Sequence, residues 1–375
     1  DNYAVHLYSD WNDDFSTEVS IAYKDSYRES EANSDFGQVT VKTEDFDSIV
    51  AGTDVYRQGN ISSTQTWSYK FGANYLTGDH DIKFGASFEA LDLYNLFSKE
   101  SMGVWEFDSL EDFASGNISK FSYSNAYTND TDDADYTYES STLALYIEDT
   151  WTVDSDLDVT FGVRYERLSS DDKPIENTAF TNTYGYPNTE NLDGLDIFLP
   201  RVGFKYYIND SASLRGGIGR YSGGKPNVWV ANSFTNDGIT FVSAPSSVTN
   251  EIINDPNLVD FSKVPQAAKD SLTQGAGSTN SVDPNYKMAS DWRFQLGLDM
   301  TIDIPYLGED YQWSIEGNYI KKQDSPFWVD NARKIKGQTA DGGRDIYESI
   351  YTGDKVDNYD IMLTNADKDC RSTLL

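Results

Sequence analysis

Hydrophobic and polar residues alternate with a period of two along residues 141–168. Leu145 and Ile147 lie on one side of an extended chain there, while Tyr146 and Glu148 lie on the other. The pattern stops at a short acidic turn and then resumes. We therefore predict two long antiparallel strands joined by a tight turn, each with one apolar and one polar face.

The same hairpin pattern occurs five times along the chain. Each predicted strand has about ten residues, which is the length that a tilted strand needs to cross a bilayer. Short turns join the strands within a pair, and long polar loops, with short helices predicted at 108–113 and near 265–272, join one pair to the next. The paired segments are 3–11 with 15–23, 67–75 with 82–88, 141–151 with 157–168, 200–208 with 212–218, and 292–304 with 311–319.

This arrangement is typical of an all-β, antiparallel transmembrane β-barrel with short periplasmic turns and long extracellular loops. A transmembrane helix is excluded because the chain has no sufficiently long apolar run. A mean hydropathy of −0.58 is consistent with a sheet in which one face is polar. The alternative, a soluble all-β protein with an aromatic core, conflicts with those polar faces. Aromatic residues near the short turns fit an interfacial girdle, namely Trp11, Phe15, Tyr75, Trp151, Tyr207 and Tyr306.

The chain is strongly acidic, with a formal net charge of −33. Nucleic acid repels such a chain, so we expect no nucleic-acid partner. The densest acidic group lies in a loop and comprises Asp130, Asp132, Asp133 and Asp135. This group either forms a solvated surface or binds Ca²⁺, which prefers carboxylate oxygens, although it lacks the spacing of an EF-hand loop. We expect no other cofactor.

Residues suited to catalysis are scarce in this sequence. Its one cysteine, Cys370, excludes an internal disulfide framework and a cysteine-based zinc site. The two histidines, His6 and His80, are predicted on the polar face of a strand and in a turn. Carboxylates are abundant, but no pair lies in an identifiable apolar pocket that would separate their pKa values. We therefore expect a protein that is not an enzyme.

Several segments resemble a known family of membrane proteins. Residues 145–151 and 157–166 look like the mid-barrel hairpin of TonB-dependent outer-membrane receptors, and residues 199–204 are similar to their next strand. Residues 107–116 and 223–229 resemble the large-looped, Oar-like branch of these Gram-negative receptors. The resemblance extends over nearly the whole chain.

The resemblance implies a 22-stranded barrel in the cell outer membrane, filled by a plug domain that receives energy from the TonB–ExbB–ExbD complex through a TonB box. Neither the plug nor the box is recognisable in residues 1–375. We therefore expect a fragment of one barrel domain, with about ten strands and the start of an eleventh at 372–375. Other implied partners are outer-membrane lipid, lipopolysaccharide and a surface lipoprotein.

The predicted function is to bind a substrate at the extracellular loops and to move it across the outer membrane. The alternative is a passive channel, or a structural or adhesive barrel with acidic surface loops. Basic and aromatic groups can hold a polar or anionic ligand. The candidate substrate-binding residues are Lys225, Asn227, Trp229 and Asn232 in the longest loop, and Arg215 and Arg293 on the polar face. Their alternative roles are loop packing for Trp229 and ion pairs with acids for the arginines.

Overall fold

The computed structural model describes residues 1–44, 47–367 and 371–374, with only the backbone described for Pro256 and for 371–374. Over these residues, eleven strands form one sheet, which we call the wall. Cys370 lies outside the described residues. The wall strands in chain order are β1 (Asn2–Asn12), β2 (Phe15–Glu29), β3 (Asn60–Thr77), β4 (His80–Phe97), β5 (Asp135–Asp154), β6 (Leu157–Ser169), β7 (Asp196–Asn209), β8 (Ala212–Ser222), β9 (Ser290–Ile304), β10 (Gly308–Gln323) and β11 (Arg371–Leu374).

Each wall strand pairs only with its neighbours in this order, and every pairing is antiparallel. Tight turns join β1 to β2, β3 to β4, β5 to β6, β7 to β8 and β9 to β10. All of these turns therefore lie at one end of the sheet, which we call the short-turn rim. The long connections lie at the opposite end, the long-loop rim. The structure confirms the five predicted hairpins.

Polar side chains at the strand ends stabilise the tight turns. Asn12 Oδ1 accepts a hydrogen bond from the backbone N–H of Asp14 at 2.9 Å. The same 2.9 Å bond recurs between Asp154 and Asp156 and between Asn209 and Ser211. In each case an Asn or Asp side chain bonds to the backbone two residues later, which is why these residue types favour turns.

One face of the wall carries large apolar side chains that remain exposed. Phe84, Phe161 and Phe294 are 37%, 44% and 40% exposed. A soluble protein with an aromatic core would bury these rings, so that alternative is wrong. We call this surface the apolar face. The girdle prediction is wrong for Tyr207, because period two places it on the opposite, polar face beside Lys205, whose ammonium lies 4.7 Å from its ring centre.

Several strands extend well beyond the predicted segments. β3 and β4 have 18 residues each and β5 has 20, whereas a membrane strand needs about 9–11. The additional residues lie toward the long-loop rim. Residues Asp360–Asn365 form a strand of a small separate sheet. Residues Arg371–Leu374 form β11, which pairs with β10. Leu375, the last residue of the segment expected at 372–375, lies outside the described residues.

The long connections fold into a compact structure at the long-loop rim, which we call the loop cap: residues 30–44, 47–59, 98–134, 170–195, 223–289 and 324–367. Its strands are Gln38–Lys42, Ser48–Ala51, Val104–Phe107, Lys120–Ser122, Ser124–Ala126, Phe241–Ser243, Thr279–Val282, Pro326–Asp330, Arg333–Gln338, Asp345–Ser349 and Asp360–Asn365. Its α-helices are α1 (Leu110–Ser115), α2 (Thr178–Tyr184), α3 (Asn227–Thr235), α4 (Ser246–Ile253) and α5 (Gln266–Asp270). Short 3₁₀ helices cover Thr131–Ala134, Pro256–Leu258 and Gly353–Lys355.

An apolar interior holds distant parts of the loop cap together. Trp105, Phe107 and Phe121 pack with Val41 and Ile252, which come from two other connections. The helices predicted at 108–113 and near 265–272 are confirmed as α1 and α5. Among the described residues, none of the helices is both long and apolar enough to span a membrane.

Candidate functional site

The polar face of the wall carries arginine and carboxylate side chains on adjacent strands. Arg215 of β8 donates a hydrogen bond from Nε to Asp299 Oδ2 at 2.9 Å, and its Nη2 lies 2.7 Å from Glu316 Oε2. A Cβ atom on Gly297 would lie only 3.0 Å from the guanidinium carbon, so a glycine there allows Arg215 to lie flat on β9. Arg215 therefore joins β8, β9 and β10 through charge-assisted bonds.

Arg293 is also paired on the same face. Its Nη2 lies 3.2 Å from Asp291 Oδ2, and its guanidinium carbon lies 5.0 Å from the ring centre of Tyr221, within cation–π range. Arg201 of β7 likewise pairs with Glu148 of β5, across Gly162 of the intervening strand β6. These contacts agree with the ion-pair alternative for the wall arginines. A ligand would have to exchange with these carboxylates to reach them.

Tyr146 covers a position where two strands carry glycine. Gly72 and Gly85 are partners in the register, and β4 places Gly85 opposite Tyr146. A Cβ atom on Gly85 would lie 2.6 Å from the Tyr146 hydroxyl oxygen and 2.2 Å from the carbonyl oxygen of Phe71. Only glycine leaves room for the ring, so Tyr146 lies flat against the polar face.

Near the long-loop rim, the polar face becomes apolar and the loop cap packs on it. Tyr138 and Leu168 have the same side-chain parity as Tyr146 and Arg164, yet they are buried. They pack in one cluster with Val230 of α3. The cluster also contains Leu199, Val282 and Leu363. The loop cap therefore covers the polar-face side of these strands.

Lys225 connects the longest loop to the wall. Its Nζ donates a hydrogen bond to Thr142 Oγ1 and lies 3.5 Å from Glu89 Oε1. Glu89 and Thr142 are register partners on β4 and β5. We call Lys225, Glu89 and Thr142 the latch. Sequence reasoning selected Lys225 for substrate contact but gave no indication of its two wall partners.

The other loop candidates take part in packing. Trp229 Nε1 donates to the carbonyl oxygen of Ser281 at 3.3 Å, and its ring centre lies 6.0 Å from that of Trp328. Asn227 begins α3, and the carbonyl oxygen of Asn232 accepts the N–H of Asn236 at 2.9 Å. The six sequence candidates thus fall into two groups, one in the cap and one on the wall. Substrate binding by them stays a prediction.

A buried carboxylate in the loop cap had no signal in the sequence. Asp360 Oδ2 accepts hydrogen bonds from the hydroxyls of Tyr184 at 2.7 Å and Tyr351 at 2.5 Å. Burial, and then the bond to Asp360, raises the pKa of both tyrosines. Tyr184 and Asp360 are 176 residues apart. This contact ties two long connections together.

The acidic group at 130–135 has local structural roles. Asp130 caps the 3₁₀ helix by accepting the N–H of Asp132 at 3.2 Å, and Asp133 accepts the Thr128 hydroxyl at 2.6 Å. Within the described part of the chain, no group of three or more His, Cys, Asp or Glu side chains is arranged to hold a metal ion. Calcium binding by Asp130, Asp132, Asp133 and Asp135 stays a prediction.

Comparison with known protein families identifies the family to which the eleven-stranded wall belongs. The family model described as "Outer membrane beta barrel domain" matches residues 8–319. The chain belongs to this outer-membrane barrel family. The barrel wall lies in the outer membrane, so its exposed apolar face contacts lipid and its polar face lines the lumen.

Two solved structures have the same barrel fold. The outer membrane transporter YddB of Escherichia coli is 12% identical, with a TM-score of 0.52 over 99% of this chain and 38% of that one. A variant of the ferric enterobactin receptor PfeA of Pseudomonas aeruginosa, in complex with enterobactin, is 11% identical, with a TM-score of 0.51 over 99% of this chain and 40% of that one. The barrel sequence therefore spans less than half of either protein. None of the curated proteins matches it.

Proposed function

We propose that this barrel is part of a TonB-dependent receptor of the Oar-like branch in a Gram-negative outer membrane. It binds a substrate at the long-loop rim and moves it across the membrane with energy from the TonB–ExbB–ExbD complex. The observation that carries this proposal is the loop cap packed against lumen-facing residues Tyr138, Leu168 and Leu199. A permanently open channel has no use for such a cover, whereas a gated receptor does.

The orientation is part of the proposal. In bacterial outer-membrane barrels the short turns face the periplasm and the long loops face outward. The short-turn rim is therefore periplasmic and the loop cap is extracellular. Residues 1–375 belong to one barrel domain, which we propose to have 22 strands and a plug domain in its lumen. A surface lipoprotein remains a proposed partner.

The proposed recognition surface extends from the loop cap along the lumen to Arg215, which lies three residues beyond Ala212 at the end of the β7–β8 turn. Arg215 and Arg293 supply cations on the wall, and Lys225 supplies one beneath the cap. Guanidinium groups favour planar oxyanions because they donate paired hydrogen bonds. A polar or anionic substrate could therefore displace the carboxylates that now hold these side chains.

Conductance of the full-length protein in planar lipid bilayers separates the proposal from its channel alternative. We expect no steady open-pore current from the wild type in the absence of denaturant, because the cap and the proposed plug obstruct the lumen. A steady ohmic current from every inserted protein would favour the passive channel and contradict the receptor.

Binding to TonB tests the energy source directly. The purified periplasmic domain of TonB should be retained by the full-length protein in detergent. A matched variant lacking the TonB box should lose this retention while it keeps the same heat-modifiable mobility of a folded barrel. If both proteins retained the TonB domain equally, or if neither retained it, the result would favour a structural or adhesive barrel.

A further inference from the structure

Two strands of the loop cap, Arg333–Gln338 and Asp345–Ser349, form a separate antiparallel hairpin, which we call the edge hairpin. Within the described residues, neither strand pairs with a third strand. Ile335 and Tyr347 lie opposite each other in the register and are 60% and 58% exposed. An isolated two-stranded hairpin is only marginally stable in water, so a third strand would stabilise it.

The register shows which backbone groups of the edge hairpin point outward. The N–H of Ile350 donates to the carbonyl oxygen of Ala332 at 2.9 Å, so these two residues form a hydrogen-bonded pair. Hydrogen-bonded and non-hydrogen-bonded pairs alternate along an antiparallel ladder. The N–H and C=O groups of Arg333 and Ile335 therefore point away from the opposite strand. The outer edge of the first strand thus presents donors and acceptors two residues apart, as an added strand requires.

The same strand is basic, although the chain as a whole has a formal net charge of −33. Lys334 Nζ lies 3.3 Å from one carboxylate oxygen of Glu348, and Lys336 Nζ lies 3.5 Å from the other. Two ammonium groups therefore share one carboxylate, which leaves a net positive charge beside the edge. An acidic segment is attracted to this edge even though the chain as a whole repels it.

Side chains of an added strand would alternate between the two faces of the edge hairpin. One face carries Ile335 and Tyr347, and the other carries Lys334 and Lys336 around Glu348. A strand with apolar residues at every second position and acidic residues between them complements both faces at once. A shift of one residue would place its carboxylates against the apolar pair, so the register is specified.

The irregularity of the first strand has a second explanation, which is protection of an exposed edge. The register shifts between Ile335 and Gly337, and bulges and lysines are both used to prevent unwanted strand pairing. Such protection replaces exposed apolar side chains with charges. It does not account for the exposed Ile335 and Tyr347, which an added strand would cover. The bulge instead limits the edge to a short segment.

We propose that the edge hairpin binds an extended acidic segment of another polypeptide by strand addition to Arg333–Gln338. The backbone of the segment pairs with the outward groups of this strand. Its apolar side chains contact the exposed isoleucine and tyrosine, and its carboxylates contact Lys334 and Lys336. In this mode of recognition the backbone hydrogen bonds supply affinity and the alternating side chains supply specificity. The inference rests on the proposed function only for the location of the cap outside the cell.

Fluorescence anisotropy of labelled peptides with the full-length protein in detergent tests the chemistry of the segment. The probe is a short peptide in which valine alternates with glutamate. It should bind, and the same peptide with lysine in place of glutamate should not. A version N-methylated at alternate backbone nitrogens keeps its charge but cannot donate to the edge. It should therefore bind about tenfold more weakly.

Substitutions in the protein locate the site. Lys334→Glu should weaken binding of the valine–glutamate peptide about fivefold, the size of an exposed ion pair. The matched control is Lys263→Glu, which reverses another exposed charge of the cap and should leave binding unchanged. Ile335→Pro removes the outward N–H, which the hairpin itself does not use, and should weaken binding about tenfold. Each variant should keep the heat-modifiable mobility of a folded barrel.

Three results would overturn the proposal. Equal affinity for the N-methylated and unmodified peptides would exclude strand addition. Equal weakening by Lys334→Glu and Lys263→Glu would exclude this site and leave only an effect of net charge. Dimerisation of the wild type that Ile335→Pro abolishes, without peptide binding, would assign the edge to a second copy of this chain.

Failure of this site can be distinguished from failure of the receptor proposal. Peptide binding in detergent requires neither TonB nor transport. Retention of the TonB domain together with unaltered peptide binding by Lys334→Glu would reject the edge hairpin alone. Peptide binding that Lys334→Glu weakens, without retention of the TonB domain, would reject the receptor alone.

Discussion

At the scale of the residue, Asp237 shows how the loop cap tolerates a buried carboxylate. Its Oδ1 accepts the N–H groups of Ile239 at 2.6 Å and Thr240 at 2.7 Å, and its Oδ2 accepts the Thr240 hydroxyl at 2.8 Å. Burial nevertheless raises the pKa of Asp237, and these hydrogen bonds only partly offset the effect. The charged form is thus disfavoured in the folded cap.

This shift predicts a pH dependence of cap stability. Because the folded pKa exceeds the unfolded one, the contribution of Asp237 is fully present below the ordinary carboxyl pKa and is lost as pH rises through the raised value. Asp237→Asn should abolish this loss. The measurement is hydrogen exchange of amides 236–242, corrected for intrinsic rates, from about pH 3.5, below the ordinary carboxyl pKa of about 3.9, to about pH 8.

Asp260→Asn is the matched control for that experiment. The hydroxyl of Ser262 and the ammonium of Lys263 lower the pKa of Asp260 to about 2. This carboxyl is largely ionised from about pH 3.5 to about pH 8, so its substitution should leave the pH dependence as in the wild type. A flat wild-type profile would refute the role given to Asp237.

At the scale of the element, the latch predicts energetic coupling between α3 and the wall. Lys225→Met and Glu89→Gln should each increase hydrogen exchange in α3, and the double variant should add less than their sum. The coupling energy should be about 0.5–3 kcal/mol, the range for residues in direct contact. Fully additive effects would show that Lys225 and Glu89 act independently.

An exposed ion pair of the same cap provides the comparison. Lys263 Nζ lies 2.9 Å from Asp260 Oδ2, and the lysine is largely solvent-exposed. Exposed pairs contribute about 0–1 kcal/mol. Lys263→Met should therefore leave exchange in α3 close to the wild type.

Wall elements could be predicted from the sequence because their signals are local. Alternation fixes the face of Arg215 and Arg293, and Asn or Asp at a strand end marks turns such as the one at Asn209. Cap elements could not be predicted in this way. The Ser124 and Ser243 hydroxyls lie 2.8 Å apart although the residues are 119 positions apart, and no periodicity encodes such a contact.

The candidate site shows the same division. Sequence reasoning selected Arg215 and placed it on the correct face, but the two acids that hold it come from β9 and β10. It selected Lys225 as a ligand contact, since the sequence around a lysine in a long loop does not show which wall residues the lysine contacts. The face on which a side chain lies follows from the alternation within one strand. Its ion-pair partners depend on the register between several strands.

At the scale of the whole molecule, the two faces of the wall predict opposite responses to charge. Ile315 faces lipid near the middle of β10, and Gln312 faces the lumen on the same strand. Ile315→Arg should destabilise the barrel by about 2–4 kcal/mol, the cost of a cation near the bilayer midplane. Unfolding in urea from phospholipid vesicles measures the change.

Gln312→Arg should remain within about 1 kcal/mol of the wild type, because a lumen position stays hydrated. Equal losses for both substitutions would contradict the assignment of the faces. If neither substitution reduced the free energy of unfolding, the wall would not cross the bilayer at Ile315.

The junction between the wall and the loop cap has a consequence for exchanging parts between such proteins. Tyr138, Leu168 and Leu199 give the cap an apolar seat on an otherwise hydrophilic surface. A graft of 223–289 and 324–367 onto a related barrel can therefore dock only where the recipient retains three apolar side chains at the equivalent heights. Transplanted specificity depends on this seat as much as on the loops themselves.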